Sequence, residues 1–350
     1  MFNRRSKSDR SALPARKLWA FRLAALGVSF LIALAALAWY LIEQEMLVFD
    51  PETGAWRLQA RPIYLYEPGH ERTGHKYLYD SELGWRNIPN WKATTFGHQL
   101  TINSKGLRDR EYEYDKPAGW RRILVLGDSF AWGYGVADEE IFTEVLEDRF
   151  EREGTKWQVI NAGVSGWGTD QQLLYLQSEG LKYQPDVVVL AFYVGNDLTN
   201  NTQSIQYGLN KPLFLDLDLQ LANVPVPKPP TDRTKLKRAR VSAVRLTVRI
   251  IQEMEKECAA AGARLVVMKF GLFQVPDNSS ARALDSSFTK RFEEHQGKSL
   301  FLDLDARFRD QAITKEELVE GNHDGHWNAH GHRVVADMLH EFLVKEKLVE

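Results

Sequence analysis

The stretch RILVLGDSFAWGYGV, residues 122–136, decides the fold. Residues 123–126 are four apolar side chains in unbroken succession. They lack the alternation of a half-exposed strand and suit a central parallel strand covered on both faces. The Gly-Asp-Ser that follows then stands at the strand's carboxyl end, the edge on which open α/β sheets build their sites. Downstream, strand and helix patterns alternate. Strands are expected at 122–126, 157–161, 186–192, 264–269 and 299–303, and helices at about 138–153, 169–181, 236–262, 280–295 and 328–346. That order predicts an α/β fold: a parallel five-stranded sheet with helices on both faces.

The third strand and the long helix are separated by an insertion at about 198–235, containing PLFLDLDLQLANVPVPKPPTD. Its alternation suggests a small hairpin and its prolines a surface loop. Both a lid over the site and a tolerated insertion fit this pattern. Upstream, residues 43–118 carry many aromatic and turn residues without a helical period, which reads as an add-on of short strands and loops. The domain proper is expected at 119–350.

The amino terminus has a different character. Residues 23–42, LAALGVSFLIALAALAWYLI, carry no charge, and roughly 20 apolar residues suffice for a helix to cross a bilayer. Seven Lys or Arg precede this run against the single Asp9, whereas Glu43, Glu45, Asp50 and Glu52 follow it. The positive-inside rule puts the tail 1–22 in the cytoplasm and the bulk of the chain in the periplasm or outside the cell. A cleaved signal peptide is the competing reading, with Ala36-Leu37-Ala38 as a small-residue cleavage site. The apolar run continues past it with bulky residues and no polar region, which favours a retained anchor.

A hydrophobic content of 44%, 26% charged residues and a net charge of −2 describe an ordinary globular chain with no basic field for a nucleic-acid partner. The lone cysteine, Cys258, excludes an internal disulfide and sits in a helical pattern as a small buried hydrophobe.

Four short blocks fall at predicted strand ends or before the last helix: GDSF (127–130), NAGVSGWG (161–168), GND (195–197) and NHDGHWNAHGH (322–332). In a parallel sheet those ends share one edge, so the blocks can converge. A serine hydroxyl is a weak nucleophile until a base takes its proton, and the base works best with its tautomer fixed by a third group. Ser129 supplies the hydroxyl, His326 the base. Asp324 lies two residues before His326, on the same side of an extended segment. The backbone N–H groups of Ser129 and Gly166 and the side-chain amide of Asn196 are the natural oxyanion donors. Asp128 reads as a structural hydrogen-bonder of the loop, and Asn328 as the N-cap of the last helix.

The ordered set resembles the SGNH/GDSL hydrolase family, named for serine, glycine, asparagine and histidine blocks in that order, over about 121–346. The resemblance implies a flavodoxin-like three-layer α/β/α sandwich, with Ser129 as nucleophile, Gly166 and Asn196 in the oxyanion hole and His326 as base. It also implies substrates that are esters of lipids, small acyl groups or acetylated sugars. One departure stands out: the usual aspartate lies three residues before the histidine, but position 323 is His and the aspartate is Asp324. This spacing is similar to that of the branch related to alginate O-acetylation proteins.

Rival chemistries fit less well. An α/β-hydrolase elbow needs Gly-x-Ser-x-Gly, and position 131 is Ala. No Lys-Ser/Thr follows the glycines as a phosphate loop requires. A metal site built from His323, His326, His330 and His332 is disfavoured because the last two lie two residues apart on a helix and diverge. Trp132, Trp167 and Trp327 neighbour the blocks, either as a sugar-stacking wall or as packing.

The sequence therefore predicts a membrane-anchored, exported serine esterase that needs no metal or organic cofactor. Its expected partners are an acylated glycan or lipid substrate and the membrane. Deacetylation of an envelope or secreted polysaccharide is favoured from location and resemblance. An O-acetyltransferase, a lipase or lysophospholipase, and a silent glycan-binding module are the alternatives.

Overall fold

The computed structural model describes residues 15–43, 47–50, 55–58, 77–272, 280–295, 297, 299–322 and 325–349. Continuous apolar runs form the main sheet. Its strands are β1 (Arg121–Gly127), β2 (Trp157–Gly163), β3 (Val187–Tyr193), β4 (Arg264–Phe270) and β5 (Leu300–Asp303). All neighbours pair in parallel, in the order β5-β4-β3-β1-β2. This is the flavodoxin-like 2-1-3-4-5 order, read from the other edge.

Alternate residues of each strand enter two separate cores, as the period of two requires. Leu124, Leu126, Val188, Leu190, Leu265 and Val267 face one core, which also takes Leu176, Ile250 and Phe288 from the helices Thr169–Ser178, Ala243–Ala260 and Ser280–Glu294. Ile123, Val125, Val187, Val189, Val266 and Met268 face the other, covered by the helices Phe142–Arg152 and Ala329–Lys345. Helices on both faces of one parallel sheet make a three-layer α/β/α sandwich. Cys258 is buried in the first core.

The chain divides into two compact units, 1–62 and 63–350. In the first, a helix runs over Ala15–Glu43. Its segment Arg22–Ile42 is long and apolar enough to cross a membrane, and Leu26, Phe30, Leu31 and Trp39 on it are all more than 60% exposed. An antiparallel hairpin, Leu47–Asp50 with Ala55–Leu58, follows within this unit. The second unit begins well before residue 119. Residues 77–118 of the expected add-on share the main core through Tyr77, Trp85, Leu107 and Tyr112. The insertion forms two short hairpins, Ile205–Gln206 with Leu209–Asn210 and Leu213–Phe214 with Leu221–Ala222.

Candidate active site

The order 2-1-3 puts the switch point of the sheet between β1 and β3, where a crevice opens outside the carboxyl ends. Ser129 follows β1 and Asn196 follows β3, so both blocks meet at this crevice. The chain leaves β1 through one helical turn, Ser129–Trp132, capped by Asp128, whose Oδ1 accepts from the Phe130 N–H at 2.9 Å. Ser129 is the first residue of this turn, so its N–H has no intrahelical acceptor. The turn lies tight against β2: a Cβ on Gly163 would come 2.5 Å from the Trp132 nitrogen.

Ser129 Oγ and His326 Nε2 stand 2.7 Å apart, although 197 residues separate them in sequence. The imidazole is flanked by the rings of Phe130 and Tyr134, at centroid distances of 4.6 and 4.5 Å. Beyond it Trp327 is fully buried against Phe130 and Phe270. Asn328 fixes the way into the last helix: its Oδ1 accepts from Gly331 N at 2.8 Å, and its Nδ2 donates to the carbonyls of Glu317 and Glu320. Asp324 and His323 lie outside the described residues.

The second block is drawn to β1 by the Val164 N–H, which donates to Gly127 O at 3.2 Å. Gly166 sits in the following turn at φ +79°, a conformation that favours glycine. Trp85 and Trp167 lace this loop to the hairpin Tyr77–Asp80/Gly84–Asn87: Trp85 Nε1 donates to Ser165 O, and Trp167 Nε1 donates to Trp85 O. At Asn196, Nδ2 donates to Asp128 Oδ2 at 2.8 Å. Burial raises the Asp128 carboxyl to about 6, against the opposing pull of the bonds from Phe130 N and Asn196. Asp197 is also pushed well above the usual carboxylate range, by burial and by the charge of Asp128.

Several supporting residues carried no motif. Arg108, buried, donates to the carbonyls of Trp132, Gly133 and Val136 and pairs with Asp138, which clamps the loop beyond the serine turn. Asn87 accepts from Trp132 Nε1 and donates to Gly106 O. Lys211 of the insertion is buried against Asp170, in the first turn of the helix that follows the Gly166 loop. Only Lys211 left a trace in sequence, as a lone cation in the apolar run LNKPLFL.

The three tryptophans are packing: Trp132, Trp167 and Trp327 are at most 1% exposed. His332 is a core histidine. Its Nδ1 accepts from Phe142 N, and burial holds its ring neutral, its pKa lowered to about 3. His330 is exposed, so the two diverge. Among the described residues no three His, Cys, Asp or Glu side chains are grouped to hold a metal.

A half-buried serine hydroxyl hydrogen-bonded to an imidazole is the pairing through which serine-type ester hydrolases activate their nucleophile. The family model of GDSL-like lipases and acylhydrolases matches residues 125–334, more than half of the chain. The chain belongs to that family and is an enzyme acting on ester bonds. Its fold resembles TesA (TM-score 0.44, 18% identity), covering 65% of this chain and 100% of that one. It also resembles the psychrotrophic esterase EstA from Pseudoalteromonas sp. (0.41, 19%, 65% and 98%). A third similar structure is a catalytic mutant of Axe2, an acetylxylan esterase from Geobacillus stearothermophilus (0.44, 15%, 64% and 93%). No curated protein sequence matches the chain.

Proposed function

We propose that this protein is a membrane-anchored, exported serine esterase that removes short acyl groups, acetyl foremost, from a polysaccharide of the cell envelope or its surroundings. The observation that carries the reading is the 2.7 Å contact between Ser129 Oγ and His326 Nε2 at the carboxyl edge of the sheet. In this mechanism Ser129 Oγ attacks the ester carbonyl carbon and His326 Nε2 takes its proton. Asp324 is assigned to orient the imidazole and fix its tautomer. The oxyanion accepts from the N–H groups of Ser129 and Gly166 and from Asn196 Nδ2, each donor worth about 10²–10³ in rate. Collapse expels the alcohol, which receives its proton from His326. Water, deprotonated by the same imidazole, then releases the acid and restores Ser129.

The short-acyl preference rests on the family resemblance and on the exported position, with Tyr134 packed on the His326 ring beside the serine. The glycan assignment rests on the exported position that the apolar helix and its flanking charges support. The test is turnover of p-nitrophenyl esters of increasing chain length by the full chain, with free acetate measured from an acetylated polysaccharide. Fastest turnover of the acetyl ester and release of free acetate are expected. Rates that climb with chain length contradict the reading in favour of a lipase, and acetate moved onto an added oligosaccharide contradicts it in favour of transfer.

A further inference from the structure

The insertion reaches the candidate acyl site through one residue. In the hairpin Ile205–Gln206/Leu209–Asn210 the two turn residues are Tyr207 and Gly208, at φ +50° and +81°. Positive φ at both positions is the type I′ pattern, which prefers Asn-Gly or Asp-Gly. An aromatic residue in the left-handed region is strained, and such strain persists only where the surroundings over-determine it.

The surroundings do so here. The Tyr207 hydroxyl oxygen receives Asn196 Nδ2 at 3.4 Å and Asn200 Nδ2 at 3.3 Å. Asn200 is itself held, its Oδ1 accepting from Gln206 Nε2. One residue past the hairpin, the Lys211 ammonium donates to Asp170, to Asn200 O at 3.2 Å and to Pro212 O at 3.0 Å. The hairpin is thereby fastened at its base to both the Asn196 segment and the helix after Gly166.

The consequence falls on Asn196. Its Nδ2 carries two protons: one is taken by Asp128 Oδ2, and the other points to the Tyr207 oxygen. Together these acceptors fix which way the carboxamide faces, leaving Oδ1 buried without a protein partner among the described residues. A carboxamide that flips presents an oxygen where a donor is needed, and that repels an oxyanion.

We propose that Tyr207 is a positioning residue: the insertion presses its hydroxyl onto Asn196 to hold the amide donor toward the oxyanion. The contact from Asn196 to Tyr207 is long, so the N–H yields to a developing oxyanion while the bond to Asp128 persists. The inference rests on the assignment of Ser129 and Asn196 to one acyl site.

The test uses the full-length protein with Tyr207→Phe, Asn196→Ala and the double variant, reading p-nitrophenyl acetate kinetics, melting temperature and fluorophosphonate labelling. Tyr207→Phe keeps the ring and loses the hydroxyl. Its kcat is expected to fall about threefold to tenfold, the value of one neutral hydrogen bond, with KM unchanged and only a small fall in melting temperature from the acceptor that Asn200 Nδ2 also loses. In the Asn196→Ala background the same substitution is expected to change nothing, because its route to the reaction is gone. An unchanged kcat, or a loss that adds in full to that of Asn196→Ala, overturns the proposal while leaving the site assignment standing. Failure of the wild type to label at Ser129 overturns both.

Discussion

Lys211 is the most exposing test of how the insertion is held. Its side chain and that of Asp170 are both 0% exposed, and burial pushes the lysine's pKa down and the aspartate's up. The ammonium has three acceptors, so the pair persists because each of its protons is used. Lys211→Met keeps most of the stem's volume and removes the charge, leaving a carboxylate without a cation in the core. Removing one partner of a buried pair costs about 3–5 kcal/mol, equivalent to a fall of about 5–8 °C in melting temperature for a unit of this size.

The variant escapes part of that cost by protonating Asp170, whose folded pKa then lies still further above its unfolded value. The folded variant binds the extra proton, so its stability falls as pH rises through that window, and the deficit is smaller at pH 5 than at pH 8. Adding Asp170→Asn removes the orphaned charge and should recover more than half of the loss. Urea denaturation followed by tryptophan fluorescence measures all three. A Lys211→Met variant within about 1 kcal/mol of wild type, or a double variant no better than the single, refutes the claim that a charged pair holds this loop.

Other outcomes follow from the same geometry. Gly163→Ala drives a methyl into the Trp132 backbone; it should cost about 1–3 kcal/mol and depress kcat, because it shifts the turn that carries Ser129. Activity retained at the wild-type level would show that the turn has room to move. Glu147 accepts from Val159 N and Tyr112 Oη, and burial raises its carboxyl to about 7. Its folded pKa exceeds the unfolded one, so its contribution to stability is lost as pH rises from about 4.5 to about 7. Glu147→Gln should flatten the stability profile measured by denaturation at pH 5 and pH 8; an unchanged slope contradicts this. The Cys258 thiol, buried and raised to about 12, should resist a thiol reagent in the native protein and react on unfolding.

The sheet was legible because a parallel strand covered on both faces leaves a run of apolar residues that few other structures produce. Each of β1 to β5 lies within a residue or two of its expected place. Two helix starts were not legible. The helix expected from 138 begins as a 3-10 turn at Asp138–Glu140 and becomes α-helical only from Phe142. The helix expected from 236 starts at Ala243, because the N–H groups of Ala239 and Arg240 bond back to Thr202 O and Leu215 O of the insertion. Local propensity yielded there to tertiary hydrogen bonds.

Ser129, His326 and Asn196 could be singled out because each side chain has a chemical reason to be its type, and the structure brings Ser129 to His326 and Asn196 to Asp128. Trp85, Asn87, Arg108 and Tyr207 could not, since their partners are mostly backbone carbonyls and amides many residues distant, and a carbonyl leaves no mark in sequence. The reading of 43–118 as an appendage reflects the same blindness: Arg108 and Trp85 brace the serine turn and the Gly166 loop from within that segment.

The site turns on Ser129 acting as a nucleophile activated by His326. The most direct measurement is fluorophosphonate labelling of the folded, full-length protein, with the adduct located by peptide mass spectrometry. A single adduct on Ser129 is expected, absent in Ser129→Ala and strongly slowed in His326→Ala. An unlabelled Ser129 in folded wild-type protein, or labelling that proceeds equally fast without His326, would contradict it.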